Sequence, residues 1–269
     1  MKPPIQKSRQ LCLLFASLLA IGCPAVNAVP VNASTLYSND FDSAEFVLAG
    51  VTATFDSGSA TRATIGSVQG FALDGFSGNM VISDGVASSA ARLLLSNLPE
   101  HDSISVSFLL GLINSWDGTT NALAPSTAPD FFNVSVDGVS VFSETFRNIE
   151  DDPNSPQSFD PPPGALLSID NERWFNVAPN PPIVDAAYDL GFVSSLQAIP
   201  HTAATAEILF FANGSGWQPN EVLRGDWDEA WGIENLALSI SVVPEPTSCL
   251  SFCWAAFALW VCKRRLLQL

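Results

Sequence analysis

Residues 131–146, FFNVSVDGVSVFSETF, carry the clearest secondary-structure signal in the chain. Apolar and polar residues alternate on both sides of Asp137-Gly138. The alternating apolar residues are Phe132, Val134 and Val136 before the turn and Val139 and Val141 after it. A period of two is typical of a strand with one buried face, and Asp-Gly favours a tight hairpin turn. We therefore predict a β-hairpin that turns at Asp137-Gly138.

Seven further stretches have strand character, because they are rich in Val, Phe, Ile, Ser and Thr and end at turn residues. They are 38–41, 46–55, 80–83, 91–95, 104–112, 206–212 and 234–242. Short strands at this spacing, without a sustained helical period, favour an all-β protein with one sandwich or jelly-roll domain. We place that domain at residues 37–242, after a linker at 29–36.

The chain also contains a weak internal sequence repeat, which we call the echo. LPEHDS at 98–103 and IPHTA at 199–203 each precede an apolar strand and then a tryptophan, Trp116 or Trp217. An acidic residue and another strand follow each tryptophan, with Asp130 in the first half and Asp228-Glu229 in the second. The pattern predicts two similar halves built as paired hairpins, although a shared turn preference could also produce it without duplication.

The C-terminus has a different character from residue 243 onward. It contains the tetrad Val243-Pro244-Glu245-Pro246, an apolar run at 247–262 and the basic cluster Lys263-Arg264-Arg265. The prolines delay any helix until after Pro246. A helix over 247–262 would span roughly 24 Å, which crosses a bilayer with local thinning, and its basic end would stay in the cytoplasm. We predict a transmembrane helix there.

This order of tetrad, span and basic end resembles the PEP-CTERM sorting signal that exosortases process in Gram-negative bacteria. The resemblance implies an exosortase-type partner and membrane anchoring in transit. It also implies a final location at the cell surface or in the exopolysaccharide matrix. An ordinary C-terminal membrane anchor is the alternative.

The N-terminus predicts export as well. Three basic residues, Lys2, Lys7 and Arg9, precede an apolar core at 11–21 and then small residues, which is typical of a secretory signal peptide at 1–28. Cleavage could follow Ala28 or Ala33. A lipoprotein signal through Gly22-Cys23 is the alternative.

The composition between these two signals limits the function. All five cysteines lie in the terminal segments, so the exported part has no disulfide. That part contains five basic and 27 acidic residues, a formal charge of −22, and no lysine. Such a surface repels nucleic acid and attracts divalent cations. We therefore expect no nucleic-acid partner.

Two acidic clusters are candidate calcium ligands, because Ca²⁺ prefers carboxylate and carbonyl oxygens. Asp40 and Asp42 follow the first predicted strand, and Asp228 and Glu229 precede the last. The first and last strands of a jelly roll are often neighbours, so these four residues could form one Ca²⁺ site. The alternative is that the acids cap turns and keep the surface soluble.

Three tryptophans, Trp116, Trp217 and Trp227, are candidates for stacking on sugar rings, with core packing as the alternative for each. The segments SWDG (115–118), PDFFNVSVDG (129–138) and DEAWGIEN (228–235) resemble bacterial surface proteins that have a lectin-like jelly roll. That resemblance implies a β-sandwich and no particular activity.

We expect a structural or carbohydrate-binding surface protein rather than an enzyme. The chain has only two histidines, His101 and His201, and no Gly-x-Ser-x-Gly elbow, which disfavours a serine hydrolase. Paired carboxylates could serve glycoside cleavage, so a polysaccharide-cleaving hydrolase or lyase is one alternative function. A protein-binding adhesin is another.

Overall fold

The computed structural model describes most of the chain between Ala33 and Val242. The described ranges are 33–42, 45–58, 60–64, 75–76, 78–83, 89–114, 116–120, 128–148, 156–170, 185–217, 222–223, 226–227 and 229–242. The predicted signal peptide and the predicted sorting signal with its transmembrane helix lie outside these ranges. Within them, no helix has the length and apolar character needed to cross a membrane.

Sixteen strands and two short 3-10 turns, Leu190–Phe192 and Ser194–Leu196, make up the regular structure of the described residues. Nine strands form one sheet: β1 (Ala33–Asn39), β2 (Phe46–Val47), β4 (Thr61–Thr64), β5 (Asn79–Ile82), β7 (Ser103–Asn114), β10 (Leu166–Asp170), β11 (Asp185–Asp189), β12 (Ile199–Pro200) and β16 (Glu229–Ser241). Five form the other: β3 (Thr52–Asp56), β6 (Ala90–Ser96), β8 (Phe131–Val136), β9 (Val139–Thr145) and β13 (Thr205–Asn213). The strands β14 (Val222–Leu223) and β15 (Asp226–Trp227) pair separately.

The two large sheets form a sandwich-like, all-β fold around one aromatic core. Phe108 of β7 lies with its ring centroid 5.1 Å from Phe210 of β13 and 6.1 Å from Phe132 of β8, so it joins one sheet to the other. Trp231 of β16 contacts Phe132 at 5.7 Å. Burial of each such side chain contributes about 1.5–3 kcal/mol. Because residues 29–246 contain no cysteine, the stability of this domain depends on its core and not on disulfides.

The predicted hairpin is confirmed. The strands β8 and β9 pair antiparallel and turn at Asp137 and Gly138, whose φ angles are +51° and +77°. Positive φ at both turn positions matches the right-handed twist of the flanking strands, and Asp-Gly tolerates it best. Local sequence chemistry therefore predicts this element, and the hydrogen bonds between Asp137 and the backbone of Glu207 on β13 add support to the turn.

Most of the other predicted strands are present, with three kinds of difference. The first strand, predicted at 38–41, is β1 at Ala33–Asn39 and begins within the predicted linker 29–36, because it pairs with β16 from Ala33 onward. The stretch 46–55 is divided, because Gly50, at a φ of +91°, turns the chain between β2 and β3. The strands β10 and β11 were not predicted. The sequence of β11, DAAYD, lacks the β-branched alternation that identifies strands, and its pairing with β7 and β10 supplies its conformation instead.

The echoing halves do not form paired hairpins. In the first half β7 lies in the nine-stranded sheet and β8 in the five-stranded sheet; in the second, β13 and β16 lie in the opposite order. The pairing is between the halves, since β7 pairs with β16 and β13 pairs with β8. Each half therefore contributes one strand to each sheet, and the equivalent strands β7 and β13 face each other across the core, where Phe108 contacts Phe210.

Candidate functional site

The predicted calcium ligands Asp40 and Asp42 lie at an exposed turn after β1. The Oδ1 atom of Asp40 accepts a hydrogen bond from the Asp42 amide at 3.0 Å. The Oδ1 atom of Asp42 accepts hydrogen bonds from the Asn79 amide and from Asn79 Nδ2, at 2.7 and 2.8 Å. These hydrogen bonds cap the turn and join it to β5. Turn capping was the predicted alternative to metal binding for these two acids.

Glu229 is far from that turn. The first and last strands are neighbours as predicted, but Asn39 pairs with Leu236, seven residues along β16 from Glu229. At about 3.3 Å per residue this is a separation of roughly 20 Å. The prediction that the two acidic clusters share one site is therefore wrong. Asp228 lies outside the described residues.

Glu229 instead meets two acids from other segments, and we name this group the carboxylate triad: Asp117, Asp130 and Glu229. One carboxylate oxygen from each lies within 4.8 Å of the other two. All three side chains are buried, with relative exposures of 5%, 0% and 0%. The triad is the one group of three possible metal-ligating side chains found among the described residues.

The fold positions the three acids from three different connections. Glu229 begins β16 and pairs with Asn114 at the end of β7, three residues before Asp117. Asp130 directly precedes β8, and its Oδ2 atom accepts a hydrogen bond from the Asp117 amide at 3.0 Å. The Asp130 amide donates to the Gly118 carbonyl at 3.4 Å. The triad therefore closes one end of the sandwich, where strands from both sheets meet.

The electrostatics of the triad favour a cation. Two carboxylate charges 4.8 Å apart repel by about 3.5 kcal/mol at an effective dielectric constant of about 20. Burial adds a desolvation cost for each charge that is not compensated. Three hard oxygen donors at this spacing are suitable ligands for Ca²⁺, whose remaining ligands can be backbone carbonyls and water.

The layer beside the triad is aromatic and poorly solvated. Trp116 precedes Asp117 and contacts Phe146 at 6.2 Å, and Phe146 contacts Tyr188 at 5.2 Å between ring centroids. Burial raises the pKa of Tyr188 to about 12, and a hydrogen bond with Gln157 opposes part of that rise. Tyr188 is two ring contacts away from Trp116, so its raised pKa is the consequence of the low polarity of this end of the core.

The predicted sugar-stacking tryptophans have different environments. Trp116 is fully buried and its Nε1 donates to the Ala230 carbonyl at 2.9 Å, so this ring is a core residue and cannot stack on a sugar. Trp217 is half-buried and its ring lies 5.3 Å from that of Trp116. Trp227 belongs to β15, and its side chain lies outside the described part of the structure.

A separate open pocket of about 360 Å³ lies on the outer face of the five-stranded sheet, and we name it the outer-face pocket. Its lining residues are Thr52, Thr54, Leu94, Leu95, Ser96, Asp137, Thr205, Ala206 and Glu207. The register places Thr52, Ser96 and Thr205 in one row across three strands. Thr54, Leu94 and Glu207 form the next row. Side-chain alternation sends the intervening residues into the core, so hydroxyls collect on this face.

The charged groups of the outer-face pocket are held in place. Asp137 accepts a hydrogen bond from the Glu207 amide through Oδ1 at 2.8 Å and contacts His201 Nε2 through Oδ2 at 2.9 Å. The Glu207 carboxylate pairs with Arg92 Nε at 2.6 Å. That pair is exposed and adds little to stability, but it sets the direction of both side chains.

Sequence reasoning missed two of the three triad acids. Asp117 and Asp130 both lie in the segments 115–118 and 129–138 that carry the lectin-like resemblance, and the echo had paired Asp130 with Asp228-Glu229. The equivalence of Asp130 and Glu229 in the echo was the sequence signal that could have indicated that these two acids meet. The outer-face pocket gave no signal, because an outward row of Thr and Ser is ordinary on any half-exposed strand.

No family model matches the chain, and no curated protein matches it. Among solved structures, the chain is similar to the enzymatically active domain of tailspike protein 4 from bacteriophage CBA120, with 13% identity and a TM-score of 0.26; the match covers 75% of this chain and 20% of that one. It is also similar to the CBM22-2 xylan-binding domain of Xyn10C from Paenibacillus barcinonensis, with 11% identity and a TM-score of 0.28, over 76% and 99% of the two chains. The chain thus spans a fifth of the tailspike domain. Likeness at this level assigns no function.

Proposed function

We propose that this chain is an exported bacterial surface protein whose β-sandwich binds carbohydrate. The observation that supports binding is the outer-face pocket, where four side-chain hydroxyls lie beside two oriented carboxylates. Delivery by an exosortase-type enzyme, with membrane anchoring in transit, is supported by the sequence of the two ends. The segments concerned are 1–28 and 243–269.

The chemistry of the outer-face pocket matches that of a sugar. Sugar hydroxyls both donate and accept hydrogen bonds. In the pocket, Asp137 and Glu207 accept, and threonine hydroxyls do either. Leu94, between Thr54 and Glu207 in the second row, provides an apolar surface beside the hydroxyls. Because the charged side chains are already oriented by contacts within the protein, less conformational entropy is lost when a ligand binds.

We also propose that the carboxylate triad holds a structural Ca²⁺. Asp117, Asp130 and Glu229 would hold the ion, and the cation would offset the repulsion among their charges. These residues come from the ends of β7 and β16 and from the segment before β8. An ion there would therefore join both sheets at one end of a sandwich that has no disulfide.

A glycan array followed by calorimetric titration tests carbohydrate binding. Thr54→Val and Thr205→Val each keep the side-chain shape and remove a pocket hydroxyl, so we expect the affinity for the best glycan to fall about tenfold, as for one lost hydrogen bond. Thr35→Val on β1, also exposed, is the matched control and should bind like the wild type. Failure of every glycan to bind, or an equal loss in the control, would contradict the proposal. Release of reducing sugar would indicate a polysaccharide-cleaving enzyme instead.

A further inference from the structure

The only two histidines of the chain contact each other at one edge of the outer-face pocket. His101 Nε2 lies 2.7 Å from His201 Nδ1, although the residues are 100 positions apart in sequence. The outer nitrogens are also engaged: His101 Nδ1 lies 2.6 Å from the Pro99 carbonyl, and His201 Nε2 lies 2.9 Å from Asp137 Oδ2. We name this chain of three hydrogen bonds, from Pro99 to Asp137, the histidine clasp.

The partners at the two ends determine how many protons the clasp needs. A carbonyl and a carboxylate only accept, so each outer ring nitrogen must bear a proton. The bond between the rings needs one proton on one of the two inner nitrogens. Three protons on two imidazoles amount to one neutral ring and one imidazolium. With two protons, one of the three hydrogen bonds loses its donor; with four, two N–H groups face each other between the rings.

The clasp ties together segments that would otherwise be held only by the sheets. The His201 amide donates to the Asp102 carbonyl at 3.1 Å, which joins the segment before β13 to the segment before β7. Asp137 is the turn residue of the β8–β9 hairpin and exchanges hydrogen bonds with the backbone of Glu207 on β13. The His101 residue and the His201 side chain are buried, at 3% and 6% exposure. Neither ring can reorient without moving these segments.

Several charged groups surround the clasp. Glu100 and Asp102 flank His101 in sequence, Asp137 faces His201 from the hairpin turn, and Glu207 on β13 faces Asp137 through its backbone while its carboxylate pairs with Arg92 on β6. Asp137 is shared between the clasp and the outer-face pocket. The position of a pocket carboxylate therefore depends on the protons that the two rings bind.

We propose that the histidine clasp is a pH-sensitive control of the outer-face pocket. In the three-proton form it holds Asp137 in the binding position. When a fourth proton enters from water under acidic conditions, the bond between the rings is lost, and His201, which still donates to Asp137, moves away from His101 and displaces that carboxylate, so carbohydrate binding weakens. Binding control rests on the proposed carbohydrate-binding function, whereas the proton count and its effect on stability do not. Histidine is suited to this role because its protonation changes between about pH 5 and 8.

The first experiment uses ¹⁵N-histidine labelling, which reports this pair alone because the chain has two histidines. Between pH 5 and 8, NMR is expected to show a plateau with three ring protons, one of them in the bond between the rings, and a transition to four at the acidic end. The melting temperature should fall together with that transition. In His101→Gln and His201→Gln that part of the pH dependence should disappear, whereas Asp102→Asn, which alters a charge beside the clasp, should keep it.

The second experiment measures affinity for the glycan identified above at both ends of the same pH range. We expect about tenfold weaker binding in the four-proton form, the effect of losing one hydrogen bond to a charged group, and no such change in His201→Gln. Two ring protons throughout, or identical pH profiles in the wild type and the histidine variants, would overturn the clasp. Binding that is independent of pH despite a confirmed clasp would overturn its control of the pocket. Absence of glycan binding at every pH would instead overturn the proposed function and leave the proton count standing.

Discussion

The turn after β1 and the carboxylate triad are both acidic, yet their chemistry is opposite. Asp40 and Asp42 are neighbours in sequence, lie at the surface, and accept hydrogen bonds from nearby backbone and side-chain amides. Asp117, Asp130 and Glu229 come from distant segments and meet in the interior within 4.8 Å. The first group is stable as it stands in water. The second holds three buried carboxylates close together, and their mutual repulsion favours the binding of a proton or a cation.

The contrast shows why sequence proximity of acids is a poor indicator of a metal site. Acids close together in a loop can accept hydrogen bonds from the backbone amides of that loop, and water and salt screen the repulsion between their charges. Acids that a fold brings together from separate elements must also tolerate one another, and here one oxygen of each of three carboxylates lies within 4.8 Å of the other two. Their burial carries a cost, and that cost is the physical reason to expect a ligand.

The largest expected effect is that of calcium on the triad. An ion that binds only the folded state, at about a hundred times its Kd, should raise the free energy of unfolding by about 2.7 kcal/mol. Thermal melts with millimolar calcium, with chelator, and with sodium at matched ionic strength measure this difference. We expect Asp130→Asn to abolish the calcium-specific gain and Asp42→Asn to retain it. If sodium stabilised equally, or if Asp42→Asn abolished the gain, the triad would not be the site.

A smaller effect should appear at alkaline pH and tests the low polarity of the layer beside the triad. The folded state holds the Tyr188 proton more tightly than the unfolded chain, because burial raises the pKa of Tyr188 from 10.0 to about 12. Stability should therefore fall as pH rises from about 10 to 12, by about 1.4 kcal/mol at pH 11. Urea denaturation of wild type and Tyr188→Phe between pH 9 and 11 measures this. Parallel pH profiles of the two proteins would mean that Tyr188 ionises as freely as an exposed tyrosine.

The smallest effect belongs to the turn after β1. Asp42→Ala removes the acceptor of two hydrogen bonds to Asn79 in an exposed position, so we expect a loss of about 1 kcal/mol. The loss should be the same with calcium and with chelator. Asp40→Asn, which keeps an acceptor oxygen for the Asp42 amide, is the control and should change stability by less than about 0.5 kcal/mol. A calcium-dependent loss in Asp42→Ala would return this turn to consideration as a metal site.

Local elements were predictable where the chemistry is local. The β8–β9 hairpin follows from alternation and from Asp137-Gly138, and both are visible in the sequence. The strand β11 was not predictable, because DAAYD is extended only through its pairing with β7 and β10. The same holds for the outer-face pocket, since Thr52, Ser96 and Thr205 become one row only through the register of three strands.

The echo was visible in the sequence, but the strand pairing that it produces was not. His101 and His201, Trp116 and Trp217, and Asp130 and Glu229 occupy equivalent places in the two halves, and each pair is in proximity. Periodicity could not predict this, because hairpins within each half and pairing between the halves use the same strands. Only the second arrangement brings the equivalent residues together.

The sequence by itself determined the all-β character, the hairpin, the acidic and disulfide-free composition, and the signals that predict export. These depend on residues near one another in the chain or on composition alone. The tertiary structure decided which acids meet, which tryptophan is buried, and that the two histidines contact each other. Those outcomes depend on strand pairing between residues that are in part more than a hundred positions apart, where the burial of side chains, and not local preference, selects the arrangement.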